Sequence, residues 1–258
     1  MKNLLLICLV YVSVTLHAQT LIFSEGKKAT IVLTYDDALD SQINNAIPQL
    51  DKAGFKGTFF LKEPSSEVQV TSWRKASQNG HELANHTVYH PCLSSKYPAD
   101  PRYHAENYTV ATMLHEISTM NKLLYAIDNK PTHTYAFPCY ETTVGGKSYM
   151  DSLSKCGFVT YARSGAGDPI ITDFKKLKPF DVPCMGYSAP PTAKDLIDFV
   201  KKVQEKNGMA VFIFHGVGGD YLEVSAEAHQ QLINYLKENS KNIWVPTFEQ
   251  AMIYVTKK

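Results

Sequence analysis

Short apolar runs alternate with stretches of helical periodicity from about residue 30 to the end of the chain. Met209–Phe214 and residues 31–35 are continuous apolar or β-branched runs. Runs of this length suit strands that are covered on both faces, as in a parallel sheet. Elsewhere apolar residues recur every three or four positions, as along residues 106–127, and this spacing predicts helices. About seven strands alternating with helices indicate an α/β fold with a parallel sheet.

The lack of one motif indicates whether that sheet is open or closes into a barrel. No glycine-rich phosphate-binding loop follows a strand, so the pattern favours a closed or nearly closed β/α barrel over a dinucleotide-binding fold. No linker divides residues 19–258, which we predict to be one domain. The 26 basic and 25 acidic side chains nearly balance, and this argues against nucleic-acid binding, which needs a basic surface.

Residues 1–18 have the pattern of a secretory signal peptide. Lys2 precedes an apolar run at residues 4–16, and Ala18 is a small residue at which cleavage can occur. The run is too short to span a bilayer, and no later stretch is apolar enough to do so. We therefore expect a secreted or periplasmic protein without a membrane span after cleavage.

Four cysteines remain after that cleavage, namely Cys92, Cys139, Cys156 and Cys184. An even number in an exported protein permits two disulfides, in any of three connectivities. A core of this size does not need disulfides for stability. We therefore expect one disulfide or none. The sequence does not indicate the oligomeric state.

Polar side chains recur at or just after the ends of the predicted strands. They are Asp36, Asp37, His86, His90, Cys139, Arg163 and His215. In a β/α barrel the carboxyl ends of the strands share one face, so these residues can converge there. Adjacent residues of an extended chain point in opposite directions, which allows one aspartate to face a metal and the other a reacting water. A solvated turn with a helix cap would also explain the two aspartates.

One carboxylate and two imidazoles among these residues suit a metal. Asp37, His86 and His90 would leave open positions for water or substrate, as is typical of catalytic zinc sites. The His-x-x-x-His spacing alone is equally explained by a surface or core histidine pair. The helical zinc-protease pattern His-Glu-x-x-His is excluded, because Thr87 follows His86.

Three stretches resemble, in order, the motifs of the polysaccharide deacetylases, the NodB-homology group also called carbohydrate esterase family four. Thr-Tyr-Asp-Asp at residues 34–37 resembles the first motif, and His-Thr-Val-Tyr-His at residues 86–90 resembles the second. Phe-Ile-Phe-His at residues 212–215 resembles the last. The resemblance extends from about residue 30 to residue 256. It implies a distorted β/α barrel with fewer than eight strands.

The resemblance also implies roles for individual residues. Asp37, His86 and His90 would bind a divalent metal, for which we expect zinc. Asp36 would be the general base, and His215 would be the general acid because its pKa lies near neutrality. The implied reaction is hydrolysis of N- or O-linked acetyl groups on a carbohydrate. The alternative is a carbohydrate-binding relative that keeps the barrel and the metal site without catalysis.

The third motif of the family departs from its usual form, Arg-x-Pro-Tyr. Residues 136–139 read Ala-Phe-Pro-Cys, so the arginine is absent and Cys139 occupies the tyrosine position. The family places an oxyanion-hole donor there on the backbone N–H, which a cysteine keeps. We predict that Arg163, from a different strand, replaces the arginine and orients Asp36. The alternative is an ordinary surface arginine that extends over the rim.

The fourth motif, an Asp and a Trp, has no clear match between residues 161 and 183. Asp168, Asp173 and Asp181 are the candidates to orient His215, and Asp181 is preferred because it lies just after an apolar pair. A serine hydrolase is excluded by the lack of a Gly-x-Ser-x-Gly elbow. The sequence does not identify the sugar.

Overall fold

The computed structural model describes residues 26–97 and 100–257. The predicted signal peptide, residues 1–18, lies outside the described residues. Within the described ranges, no helix is both long enough and apolar enough to cross a membrane.

The core of the protein is a seven-stranded parallel sheet, accompanied by a short hairpin. In chain order the strands are β1 (Ala29–Asp36), β2 (Thr58–Leu61), β3 (Glu82–Asn85), β4 (His133–Ala136), β5 (Thr143–Val144), β6 (Lys147–Ser148), β7 (Val159–Arg163), β8 (Met209–Phe214) and β9 (Ile243–Trp244). β5 and β6 form the antiparallel hairpin, and the other strands form the sheet. Its order is β7-β4-β3-β2-β1-β8, and β9 pairs with the N-terminal end of β1.

Residues 182–185 bridge the two outer strands of this sheet. The backbone N–H of Val182 donates to the carbonyl of Ala162 in β7 at 3.0 Å. Three residues later, the N–H of Met185 donates to the carbonyl of Val211 in β8 at 2.7 Å. The curled sheet and this bridging segment form a distorted β/α barrel, which confirms the predicted fold and the predicted number of about seven parallel strands.

Seven α-helices of the described chain surround the sheet. They are α1 (Ile47–Ala53), α2 (Glu67–Gln78), α3 (Val110–Asp128), α4 (Met150–Ser154), α5 (Ala193–Glu205), α6 (Ala226–Glu238) and α7 (Phe248–Thr256). Serine or threonine side chains cap the N-termini of α2, α3, α5, α6 and α7, which satisfies backbone donors that have no partner inside the helix. The sequence Thr-Phe-Glu-Gln at residues 247–250 predicts a capping box, and both of its hydrogen bonds are present at the start of α7.

Two predicted helices differ from the observed ones. Apolar residues at helical spacing predict one helix over residues 39–53, but the structure has a π-helical turn, Gln42–Ala46, and then α1, which begins just before Pro48. A second helix is predicted over residues 147–156, but only Met150–Ser154 is helical, because Lys147–Ser148 pairs with the preceding strand of the hairpin. In this second case backbone pairing overrides the local periodicity.

β1 is the longest strand of the described chain, and all eight of its residues are buried. Tyr35 pairs with Phe59 of β2 and Phe214 of β8, and its ring centroid lies 4.8 and 5.6 Å from theirs. Burial of each such ring contributes about 1.5–3 kcal/mol. This packing fixes the end of β1, and therefore the backbone from which the two aspartates project.

A buried carboxylate lies at the opposite, N-terminal end of the barrel. Glu82 accepts hydrogen bonds from the hydroxyls of Thr58 and Thr134, and from the backbone N–H of Glu249 at 2.9 Å. Burial raises the pKa of Glu82. These bonds connect β2, β3 and β4 to the N-terminus of α7, so the last helix closes this end of the barrel.

Glu82→Gln is expected to lower the free energy of unfolding by about 1–3 kcal/mol, because an amide N–H would replace an acceptor that faces several donors. Urea denaturation followed by circular dichroism measures the change. The exposed Glu205→Gln is the matched control, with a change within about 0.5 kcal/mol. Equal stability of the two variants would show that the bonds to Glu82 add nothing.

Candidate active site

The carboxyl end of the barrel brings together all seven predicted site residues. At or after the ends of the strands lie Asp36 and Asp37 (β1), His86 and His90 (β3), Cys139 (β4), Arg163 (β7) and His215 (β8). Each contacts another member of the set directly or through one further residue. The predicted convergence of the strand ends is therefore observed.

Three of these residues direct lone pairs at one point. The Oδ1 atom of Asp37 lies 3.6 Å from Nε2 of His86 and 3.4 Å from Nε2 of His90. The two Nε2 atoms are 3.1 Å apart. Nδ1 of His86 donates to the carbonyl of Ala136 at 2.8 Å, so this nitrogen carries the proton and Nε2 is left with a free lone pair.

These three residues fit a divalent cation. The Oδ1 atom of Asp37 is buried and has no hydrogen-bond partner within the described part of the chain, and such an atom is costly without a compensating group. Its ligand atom and those of His86 and His90 all lie within 4.8 Å of one another. One carboxylate and two imidazoles are a donor set that zinc accepts.

Burial and charge favour the protonation states that a metal requires. Burial alone would raise the pKa of Asp37, but the imidazoles of His90, His86 and His215 hold it at about 2. Burial lowers the pKa of His86, and it lowers the pKa of His90 to about 4. At neutral pH the carboxylate is therefore ionised and the two imidazoles are neutral, which are the forms that bind metals.

The backbone adopts uncommon conformations at and beside these candidate ligands. Asp37, Thr87 and His90 have φ values of 82°, 66° and 54°, in the left-handed region that residues other than glycine rarely adopt. Local hydrogen bonds support the loop after β3: the N–H of Thr87 donates to Oδ1 of Asn85, and the N–H of His90 donates to Oγ1 of Thr87. Backbone strain of this kind is concentrated at functional sites.

Arg163 forms a buried ion pair with Asp36. Its Nη2 atom donates to both carboxylate oxygens, at 2.6 and 2.5 Å, while Nη1 donates to Sγ of Cys184 at 3.3 Å. Arg163 is only 1% exposed, and its guanidinium lies over the ring of Phe60. The alternative of a surface arginine is therefore wrong. A single guanidinium nitrogen serves both carboxylate oxygens, so the contact is not the parallel pair of bonds from two nitrogens that arginine often makes.

His215 faces the second oxygen of the same ligand carboxylate. Its Nε2 atom is 3.8 Å from Oδ2 of Asp37. The preferred candidate for orienting it, Asp181, instead accepts a hydrogen bond from Ser164 at 2.5 Å and lies 3.9 Å from Lys178. The prediction that Asp181 orients His215 is therefore wrong, because the segment after β7 directs this carboxylate towards its own loop.

The other two acidic candidates also have partners of their own. Asp168 accepts from the backbone N–H of Ile170, and Asp173 forms an ion pair with Lys176. Within the described ranges, the carboxylate within 4 Å of the His215 ring is that of Asp37.

Two further side chains lie at the site but belong to none of the sequence motifs. The hydroxyl of Tyr221 donates to Oδ2 of Asp37 at 2.9 Å, so this carboxylate is held through the oxygen that does not face His86 and His90. The side-chain amide of Gln42 donates to the backbone carbonyls of Asp36 and His215 at 2.5 and 3.0 Å, which joins the ends of β1 and β8. Both lie in segments next to motif residues, and their contacts depend on how those segments fold.

Cys139 is joined to Cys92 by a disulfide, while Cys156 and Cys184 are free. This agrees with the expectation of one disulfide or none. Sγ of Cys92 lies 3.5 Å from Nδ1 of His90. The two sulfurs and His90 are close enough to form a metal-binding group, but the disulfide leaves no thiolate to act as a ligand.

Comparisons with known proteins agree with this geometry. The family model of polysaccharide deacetylases matches residues 24–158, a range that includes Asp36 and all three residues of the candidate metal set. The peptidoglycan-N-acetylmuramic acid deacetylase PdaA of Bacillus subtilis (strain 168) is 26% identical over 113 residues. That alignment covers 43% of this chain and only 38% of the relative.

Two solved structures have the same fold over most of the chain. A protein from Mycobacterium smegmatis assigned to the polysaccharide deacetylases has a TM-score of 0.62 at 16% identity, covering 92% of this chain and 93% of its own. A family 4 acetyl xylan esterase from Clostridium thermocellum, in complex with a cobalt ion, has a TM-score of 0.58 at 16% identity. That match covers 87% of this chain and 90% of the esterase. With the family match over more than half of its length, the chain belongs to the polysaccharide deacetylase family.

Proposed function

We propose that this protein is a metal-dependent hydrolase that removes N- or O-linked acetyl groups from a carbohydrate. One observation carries the proposal: the lone pairs of Asp37, His86 and His90 converge beside the buried ion pair of Asp36 and Arg163. A metal set and a separate carboxylate next to it are what metal-assisted acyl hydrolysis requires. The proposed ion is Zn²⁺.

Each residue has a part in the proposed reaction. When bound, the ion would lower the pKa of a water molecule and polarise the acyl carbonyl. Asp36 accepts the proton of the attacking water, and Arg163 holds its carboxylate in place. The backbone N–H of Cys139 stabilises the developing oxyanion. His215 donates a proton to the departing amine or sugar alkoxide.

The proposed substrate is an acetylated glycan outside the cytoplasm. Family membership and the peptidoglycan deacetylase relative support a carbohydrate substrate. The acetyl xylan esterase with the same fold is the reason that O-acetyl esters are included beside N-acetyl groups. The pattern of residues 1–18 supports export. Residues 19–258 would then be the catalytic domain.

Acetate release tests this proposal. Purified protein is incubated with chitin oligomers, peptidoglycan and acetylxylan, with and without a chelator, and acetate is measured enzymatically. We expect release from at least one glycan, abolished by the chelator and restored by Zn²⁺. No release from any glycan or from a generic acetyl ester would favour the alternative, a carbohydrate-binding relative without catalysis.

His86→Ala is expected to lower bound zinc at least tenfold, because one of the three ligands is removed and a buried carboxylate loses a neighbour. Metal content is measured by mass spectrometry after dialysis against trace zinc. His115→Ala, on the exposed face of α3, is the control and should keep the wild-type content. Equal metal in the His86 variant would contradict the ligand assignment.

His215→Ala is expected to reduce hydrolysis most when the leaving group is poor. An amine or sugar alkoxide needs a proton as it departs, whereas an activated aryl oxide departs without one. The kcat for a glycan acetyl group should therefore fall about 10²–10⁴-fold, and the kcat for an aryl acetate should fall much less. Equal losses on both substrates would instead indicate that His215 stabilises the oxyanion.

A further inference from the structure

We propose that the Cys92–Cys139 disulfide is a positioning element of the site. It holds His90 at the proposed metal position, and it holds the turn at Pro138–Tyr140 next to that position. This inference rests on the proposed function. The two half-cystines lie in different loops, 47 residues apart in the chain. One loop carries two of the proposed metal ligands, and the other carries the proposed oxyanion donor.

The disulfide lies beyond the point where strand pairing between the two loops ends. β3 and β4 pair through Asn85 and Tyr135, at the last residue of β3. Past this point the two segments no longer pair with each other, and the bond from Nδ1 of His86 to the carbonyl of Ala136 is the next link between them. The disulfide is a covalent link further along the same two segments, so it fixes their separation where the backbone ladder no longer does.

Both joined segments contain residues in unfavourable backbone conformations. His90 has a φ of 54°, and Cys139 and Tyr140 have φ values of 52° and 61°. Such conformations persist in residues other than glycine only where the surroundings hold them. The disulfide supplies this restraint on both sides, and Lys96 adds a hydrogen bond from its ammonium to the carbonyl of Cys139 at 3.2 Å.

The sulfur of Cys92 also contacts the ring nitrogen of His90 that faces away from the proposed metal position. His86 has its Nδ1 atom fixed by a carbonyl at 2.8 Å. The corresponding atom of His90 faces Sγ of Cys92 at 3.5 Å, while its Nε2 faces Asp37. Loss of such a partner typically weakens metal binding 10–100-fold. Cleavage of the disulfide would free the loop and this sulfur together.

The test compares zinc affinity in the wild type and in Cys92→Ala/Cys139→Ala, using competition with a chromophoric chelator. The alanine pair removes the disulfide without leaving thiols that could bind zinc themselves. We expect the Kd for zinc to rise about 10–100-fold, with an unchanged far-ultraviolet circular dichroism spectrum. The control is Cys156→Ser, which removes a free thiol and should keep the wild-type Kd.

Amide hydrogen exchange of the metal-free protein gives a second readout. We expect faster exchange at residues 86–92 and 137–141 in the alanine pair, and unchanged exchange in β1 and β8. If the alanine pair does not fold, the wild type is reduced instead with a water-soluble phosphine. The phosphine takes up the oxygen of one water molecule to become the oxide, while the S–S bond breaks and each sulfur becomes a thiol.

Two results would overturn the inference. One is a zinc Kd of the folded alanine pair equal to that of the wild type. The other is unchanged hydrogen exchange in both loops. Neither result depends on turnover. A protein that binds zinc but releases no acetate would contradict the proposed function, and the comparison of the wild type with the alanine pair would still test the role of the disulfide.

Discussion

Replacing Asp36 by asparagine is expected to lower kcat on an acetylated glycan by about 10²–10⁴-fold, with zinc content unchanged. Asp36 is proposed to accept the proton of the attacking water, and an amide cannot do so. Its carboxylate is bound to Arg163 through both oxygens, whereas the neighbouring Asp37 directs Oδ1 at the two histidines. Asparagine substitutions at the two aspartates should therefore have different effects.

Asp37→Asn is the matched comparison, because it changes the adjacent residue in the same way. This variant should lose zinc, while the Asp36 variant should keep it. Steady-state kinetics and metal analysis on the same preparations distinguish the two. Loss of zinc from the Asp36 variant, with retention in the Asp37 variant, would show that the two carboxylates have exchanged roles.

Arg163→Ala is expected to reduce both activity and stability. Removing one partner of a buried ion pair leaves an uncompensated charge and typically costs about 3–5 kcal/mol. The carboxylate of Asp36 also loses the group that orients it, so kcat should fall by about tenfold or more. Zinc content should be unchanged, because Arg163 contacts none of the proposed metal ligands directly within the described part of the chain.

Arg163→Lys tests how the pair works. One nitrogen of Arg163 contacts both oxygens of Asp36, a contact that a lysine ammonium can partly reproduce, although it loses the stacking on Phe60. Lysine should therefore recover part of the kcat and of the unfolding free energy. Arg74→Ala, at an exposed position of α2, is the control. Wild-type kcat in Arg163→Ala would mean that another group orients the base.

The strand ends of this protein could be predicted from sequence because parallel strands place their carboxyl ends on one face. Apolar runs located β1 and β8, and the residues that follow them were therefore expected to meet. Arg163 was found by the same reasoning, since it ends β7. The resemblance to the deacetylase motifs supplied the division of roles between Asp36 and Asp37, which spacing alone left open.

Residues in loops were harder to predict, because their positions depend on contacts far along the chain. Asp181 follows an apolar pair as expected, yet it bonds to Ser164 in its own segment. Tyr221 reaches Asp37 across 184 residues of sequence, and no local pattern indicates such a contact. The partner of Cys139 was equally undefined, since connectivity among four cysteines cannot be read from spacing.

The buried carboxylate at the closed end of the barrel has a consequence for how the chain is made. Glu82 accepts one of its three hydrogen bonds from the backbone N–H of Glu249, which lies 167 residues later, in α7. During synthesis, β2, β3 and β4 emerge long before this donor exists, and contacts between such distant residues form slowly. The hydrogen bonds of Glu82 are therefore complete only after α7 has been synthesised. A polypeptide terminated before α7 would bury the Glu82 carboxylate without that donor.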